Sequence, residues 1–151
     1  MKRRFEQASA RRKSRDNPGV GHYACRVTET LDMLLFGASG PVGRALRTRV
    51  GSTERKVGLV SRFTQADTDC EHWFRHDLYH PGGDSLPPSR AILCAGPLDG
   101  FTRWCERQPS LHGARLVALS STSALVKGSS PDAHERALAR TLLDCEQRLL
   151  A

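Results

Sequence analysis

A parallel α/β domain is the fold class that the sequence predicts: a doubly wound sheet of about five strands in the order 3-2-1-4-5, with helices on both faces. Three observations predict it. Short apolar runs alternate with amphipathic segments from residue 33 to residue 151. The first of these runs ends in a glycine-rich turn that opens a helix. The handedness of strand–crossover–strand connections then makes a doubly wound sheet the natural way to join the pieces.

Residues 33–37 (MLLFG) are short, apolar and end in glycine, as a buried parallel strand does on entering a tight turn. Residues 41–50 follow with Val42, Leu46 and Val50 four apart on one helical face, and Pro41 suits a first turn, where no N–H is required. Residues 56–60 form the second expected strand, and residues 72–78 the third, more polar and so nearer an edge. The fourth spans residues 90–96 and leads into a short helix over 99–108, with Phe101, Trp104 and Cys105 on one side. Residues 115–119 make the fifth strand. A loop over 127–132 offers Ser130 or Asp132 near the start of a long helix over 131–150, whose apolar stripe is Leu138, Leu142, Cys145 and Leu149.

Composition narrows the class. The 151 residues are 38% hydrophobic and 26% charged, the balance of one ordinary domain. At that size folding buries roughly 68–70% of the unfolded surface, enough for a core without staples. Apolar runs such as LVALSSTSALV are broken by hydroxyls and fall short of the ~20 residues that span a bilayer, which excludes a helical membrane protein. Five cysteines (Cys25, Cys70, Cys94, Cys105, Cys145), odd in number and without a CxxC pair, point to reduced thiols and a cytoplasmic setting.

The net charge of +7 is uneven. Residues 1–32 hold eight Lys/Arg against four acids, so they account for more than half of it. They lack apolar periodicity and any hydrophobic stretch of a signal peptide, and Met33 stands directly before the first strand. The expectation is a basic, disordered extension (1–32) ahead of a domain over 33–151. Clustered cations attract phosphate of any sequence, so a nucleic-acid-binding arm is the alternative. The absence of interleaved aromatics or a helical basic stripe favours a solvated extension.

The turn Gly37-Ala38-Ser39-Gly40-Pro41-Val42-Gly43 is the most informative feature. Gly37 permits the turn, Gly40 lets backbone approach a pyrophosphate, and Gly43 lets the helix pack closely on the sheet, while N–H groups at the helix start attract the anion. A strand-to-helix turn also needs glycine for purely steric reasons. The strand before and the helix after favour nucleotide binding. NAD-specific domains carry an acid roughly 20 residues further on, for the ribose 2′-hydroxyl. Here the position reads Ser61-Arg62, which favours NADP over NAD because a guanidinium pairs with a 2′-phosphate. Arg44 is a second candidate, and the alternative for Arg62 is a solvated loop residue.

The string MLLFGASGPVGRAL, Ser61-Arg62, Asp77-Leu78, the segment CAGPL and the segment LSSTS together resemble the NAD(P)-binding half of the extended or atypical short-chain dehydrogenase/reductase superfamily, of the epimerase/dehydratase type. The resemblance covers residues 33–151 and implies a Rossmann domain. It implies that Asp77 with Leu78 lies near the adenine, that Ala95, Gly96 and Pro97 run beside the cofactor, and that Thr122 helps polarise the substrate oxygen, with Ser120, Ser121 and Ser123 as neighbours. A nucleotide sugar or a small carbonyl compound is the substrate class it implies for a full-length relative.

The family's Tyr-x-x-x-Lys dyad does not match: the corresponding positions hold Leu138 and Leu142, neither of which transfers protons. The chain ends at Ala151, where the family continues into a substrate-binding part. The expectation is therefore a truncated, catalytically incomplete domain, self-associating through an uncovered edge at its C-terminal side. Two further constellations compete. His72, His76 and His80 with Cys70 would line one face of a helix and bind zinc, whereas a strand spreads the histidines over about 27 Å, so no metal is expected. Ser120, Ser121 and Ser123 lack a nucleophile-elbow GxSxG, so the hydroxyls at this strand end, Ser120 and Ser121 among them, are expected to line the cofactor crevice or cap the following turn.

Overall fold

A computed structural model describes residues 30–51, 54–80, 82–83, 85–108, 111 and 113–151. The basic segment falls outside them up to residue 29, so the extension and its nucleic-acid alternative lie beyond the described residues. The elements run β1 (Leu31–Phe36), α1 (Pro41–Val50), β2 (Val57–Ser61), β3 (Glu71–Arg75), β4 (Ser89–Cys94), α2 (Leu98–Glu106), β5 (Arg115–Ala118), α3 (Ser123–Val126) and α4 (Ala133–Leu150). All five strands pair in parallel, in the order β3-β2-β1-β4-β5. This is the doubly wound order expected from the sequence, with β1 and β4 flanking the point where the winding reverses.

Alternation along the central strands divides the core. Leu34, Phe36, Val60, Ile92 and Cys94 face one layer, where Phe101 and Trp104 of α2 close over them. Phe36 meets Phe101 and Trp104 at ring-centroid distances of 5.2 and 4.5 Å. Leu35, Val57, Leu59 and Trp73 face the other layer, against Leu46 and Val50 of α1. α4 does not cover the sheet broadly; it lies across α2 and α3 and reaches the first layer through Leu149. Among the described residues, no helix is long and apolar enough to cross a membrane.

Several details depart from the sequence expectation. β1 begins at Leu31, not Met33: Leu31 is buried and donates its N–H to Pro88 O (2.9 Å), and an Asp32 carboxylate oxygen accepts the Lys56 N–H (3.0 Å). On α1 the inward face runs through Gly43, Leu46 and Val50, leaving Val42 half-exposed, because Gly43 is where the helix touches the glycine turn. On α4 the buried positions are Ala139 and Cys145, so the stripe passes through 139, 142, 145 and 149, and Leu138 turns outward. Asp132 caps α4, accepting from His134 N (2.7 Å) and Glu135 N (3.4 Å).

Candidate functional site

At the carboxyl end of β1 the chain leaves the sheet through Gly37, whose φ of +78° is a conformation that favours glycine. A Cβ on Gly37 would also stand 2.7 Å from the carbonyl carbon of Ala95, so the turn is pressed against the segment that follows β4. A Cβ on Gly43 would stand 2.1 Å from Gly37 O, which makes glycine the condition for α1 to sit on the turn. Gly40 differs: its backbone is extended, and the nearest atom to an added Cβ is Gly37 O at 3.3 Å.

Hydrogen bonds fix the turn on its other side. Val60 O accepts from Gly37 N (3.1 Å) and Ala38 N (3.4 Å), and the hydroxyls of Ser39 and Ser61 lie 2.7 Å apart. Arg44 Nη1 donates to Ser39 O (2.7 Å). Helix α1 starts without a side-chain cap and without an acid in its first turn. Its positive end is therefore left to an external anion or to water.

The turn forms one wall of a crevice of about 280 Å³. The other walls are the end of β2 (Val60, Ser61, Arg62), the segment after β3 (His76, Asp77, Leu78, Tyr79) and the segment after β4 (Ala95, Gly96, Pro97). Its position outside the carboxyl ends of β1 and β4 is where doubly wound sheets bind ligands. A second hollow of about 440 Å³ adjoins it, sharing Arg62, His76 and Asp77 and adding Arg75, His80, Gly82 and Gly83.

The segment after β3 is itself braced. Asp77 accepts from the Tyr79 N–H (3.0 Å) and lies 3.1 Å from His80 Nδ1; the Tyr79 N–H first, then His80, hold its carboxyl below the ordinary carboxylate value. Tyr79 donates its hydroxyl to Asp99 on α2 (2.8 Å), and desolvation, followed by that acceptor, pushes its pKa up to about 12. Arg103 bonds the other Asp99 oxygen (2.8 Å) and lies over the Tyr79 ring at 5.6 Å. The loop and the start of α2 are thus joined into one wall.

The structure brings ten of the expected residues together: Gly37, Ser39, Gly40, Ser61, Arg62, Asp77, Leu78, Ala95, Gly96 and Pro97 line the crevice. Ala38 is fully buried beneath the turn, and Pro41, Val42, Gly43 and Arg44 form the first turn of α1 behind it. Ser120, Ser121 and Thr122 follow β5 and do not line the crevice. Ser120 donates to Glu146, Ser121 Oγ accepts from Ser123 N (3.2 Å), and Thr122 is exposed at the start of α3. His72 pairs with Asp67 (3.5 Å) and His80 with Asp77, and among the described residues no group of three or more His, Cys, Asp or Glu is placed to hold a metal.

Tyr79, His76, Arg75 and His80 are lining residues that sequence reasoning missed. A strand drawn over 72–78 sends Arg75 and His76 to opposite faces and leaves Tyr79 and His80 beyond its end, whereas the observed strand stops at Arg75 and the chain folds back so that His76 bridges Gly83. The Pro81-Gly82-Gly83 run was the available signal for that reversal.

No family model matches the chain, and no curated protein matches it. Among solved structures, the oxidoreductase ylbE from Lactococcus lactis is similar to it, with 14% identity and a TM-score of 0.49. That match covers 78% of this chain and 61% of the other, so the chain spans less than two thirds of the length of that structure. The fold, by its own strand order and its glycine turn, is Rossmann-like.

Proposed function

We propose that the chain binds a nicotinamide dinucleotide, with NADP preferred over NAD, in the crevice at the ends of β1 and β4. The observation that carries this reading is the convergence of an uncapped α1 N-terminus, a glycine turn with bare backbone at Gly40, and Arg62 on one small crevice. The pyrophosphate would lie against the turn, where a carbon at Gly40 would intrude. The adenosine would lie between the Asp77–Tyr79 wall and Ala95–Pro97, with the ionised Asp77 as an acceptor for the exocyclic amine. Arg62 would meet the 2′-phosphate.

The cofactor would supply hydride chemistry; the chain's own proton-transfer groups are sparse. Leu138 and Leu142 stand where the resembling family has its tyrosine and lysine, and Thr122 is the candidate to polarise a carbonyl. The apolar character of Leu138 and Leu142 supports a binding module of an epimerase/dehydratase- or reductase-like protein that is incomplete as a catalyst. Calorimetric titration with NADPH and NADH tests the reading. NADPH should bind more tightly, Arg62→Ala should remove most of the difference, and Gly40→Val should weaken both. Binding of neither cofactor would refute it, and turnover of nucleotide sugars or small carbonyl compounds would refute the incompleteness.

A further inference from the structure

Asp77 reaches the crevice from a segment that is neither helix nor strand, since β3 ends at Arg75. The sheet does not set the direction of its carboxylate; a side-chain turn does. Asp77 Oδ1 accepts the Tyr79 N–H (3.0 Å), and Oδ2 lies 3.1 Å from His80 Nδ1. The far end of that turn is fastened to α2. The Tyr79 hydroxyl donates to Asp99 Oδ1 (2.8 Å), while Arg103 donates to Asp99 Oδ2 (2.8 Å) and lies over the Tyr79 ring. A Cβ on Gly100 would stand 2.9 Å from Leu78 Cβ and 3.4 Å from Tyr79 Cε1, so the segment rests directly on the first turn of α2. The opposite wall of the crevice, Ala95 to Pro97, runs straight into that same turn. Both walls therefore take their position from one end of one helix.

We infer that Tyr79 is a positioning residue for base selection: its clasp on Asp99 holds the Asp77 carboxylate where it accepts a 6-amino group, so that the crevice selects a 6-aminopurine over a purine without that group. The inference rests on the dinucleotide reading above and adds the Tyr79 hydroxyl and Asp99, which act through Asp77 and not on the ligand. Each carboxylate oxygen accepts twice, so Asp77 keeps capacity for a ligand after bonding Tyr79 and His80. A hydrogen bond to an ionised acceptor discriminates only while the acceptor is held in line with the donor; once released, the carboxylate turns to water and the amine gains nothing over its own hydration. Cutting the clasp therefore acts on the amino group alone and spares the rest of the nucleotide.

The test uses the full chain and two probes, ADP and purine riboside 5′-diphosphate, which lacks the 6-amino group. ADP should bind about tenfold more tightly. Tyr79→Phe and Asp99→Ala should each remove most of that preference while leaving affinity for the purine riboside diphosphate unchanged. The double variant should lose no more than either single one, because both cut the same link. Asp99→Asn, which keeps an oxygen to accept the phenol, should retain most of the preference. The clasp is half-exposed, so Tyr79→Phe should lower the melting temperature by no more than about 3 °C. Equal affinity of the parent for the two probes, a Tyr79→Phe loss that is the same for both, or losses that add in the double variant would each overturn the inference while leaving dinucleotide binding intact. Failure of both probes to bind would overturn the underlying reading as well.

Discussion

The two corners of the sheet where strands deliver residues to the carboxyl edge are built differently. At the β1–β2 corner the turn is pinned at several points: Gly37 and Gly43 leave no room for a carbon, and Ser39 is tied to Ser61. At the β5–α3 corner Ser121 and Thr122 are exposed, Leu125 and Val126 are 79% and 70% exposed, and α3 is a single turn. The first corner is a preorganised cradle. The second offers hydroxyls with little to hold them in place, and positioning is most of what catalysis requires of such groups. Under the proposed reading, a site for binding and a site for catalysis would lie at different corners of the same sheet.

The largest effect should come from Gly43→Ala. Its methyl would collide with Gly37 O, and because both atoms belong to packed backbone, α1 must shift. We expect a loss of about 3 kcal/mol, a fall in Tm of roughly 10 °C, read by thermal melting. A variant that melts with the parent would break the comparison at its stronger end.

Tyr79 sharpens the comparison on the cradle side. Its pKa is raised from 10.0 to about 12, so the native chain keeps a proton that the unfolded chain releases in that window. Its contribution to stability is full below pH 10 and declines as pH rises toward about 12. With only two tyrosines in the chain, a spectrophotometric titration should show one late phenolate step that Tyr79→Phe abolishes. A single step near pH 10 for both rings would contradict the braced loop.

On the open side, the exposed Val117, Leu119, Leu125 and Val126 should make the chain self-associate with increasing concentration, and Leu125→Asp should weaken that association without a change in Tm. Sedimentation of a monodisperse monomer at high concentration would count against it. Smallest of all, Thr122→Ala should alter stability by less than about 0.5 kcal/mol and leave NADPH affinity as it was. A marked loss of affinity would mean that the second corner also touches the cofactor.

The legibility of the sequence follows the same division. Apolar strands and a glycine turn are local signals: the alternation of strands with helices revealed the strand order, and the turn after residues 33–37 marked the crevice wall that holds Gly37, Ser39 and Gly40. The loop after β3 was misread because His72 to Leu78 has the hydrophobic content of a strand, while its end depends on a reversal at Gly82 and Gly83 that only the fold-back to His76 requires. Val42 and Leu138 fell on the wrong sides of their helices for a related reason. Helix rotation is set by one tight contact, Gly43 against the turn for α1, and a four-residue spacing does not register it.

The placement of β1 at the centre of the sheet bears on how the chain is made. Leu31 to Phe36 is the first described strand to leave the ribosome, yet one of its two neighbours is β4, in which Ser89 pairs with Leu31 and Cys94 with Phe36. Once β2 has emerged and until α2 follows it, β1 and β2 have each other and α1, but the face bearing Leu34, Phe36 and Val60 still awaits Phe101 and Trp104. A nascent chain in that state presents an apolar sheet face and an open strand edge for as long as translation takes to supply α2. Its yield in a cell should therefore depend more on chaperone capacity and on synthesis rate over that stretch than on the stability of the finished fold.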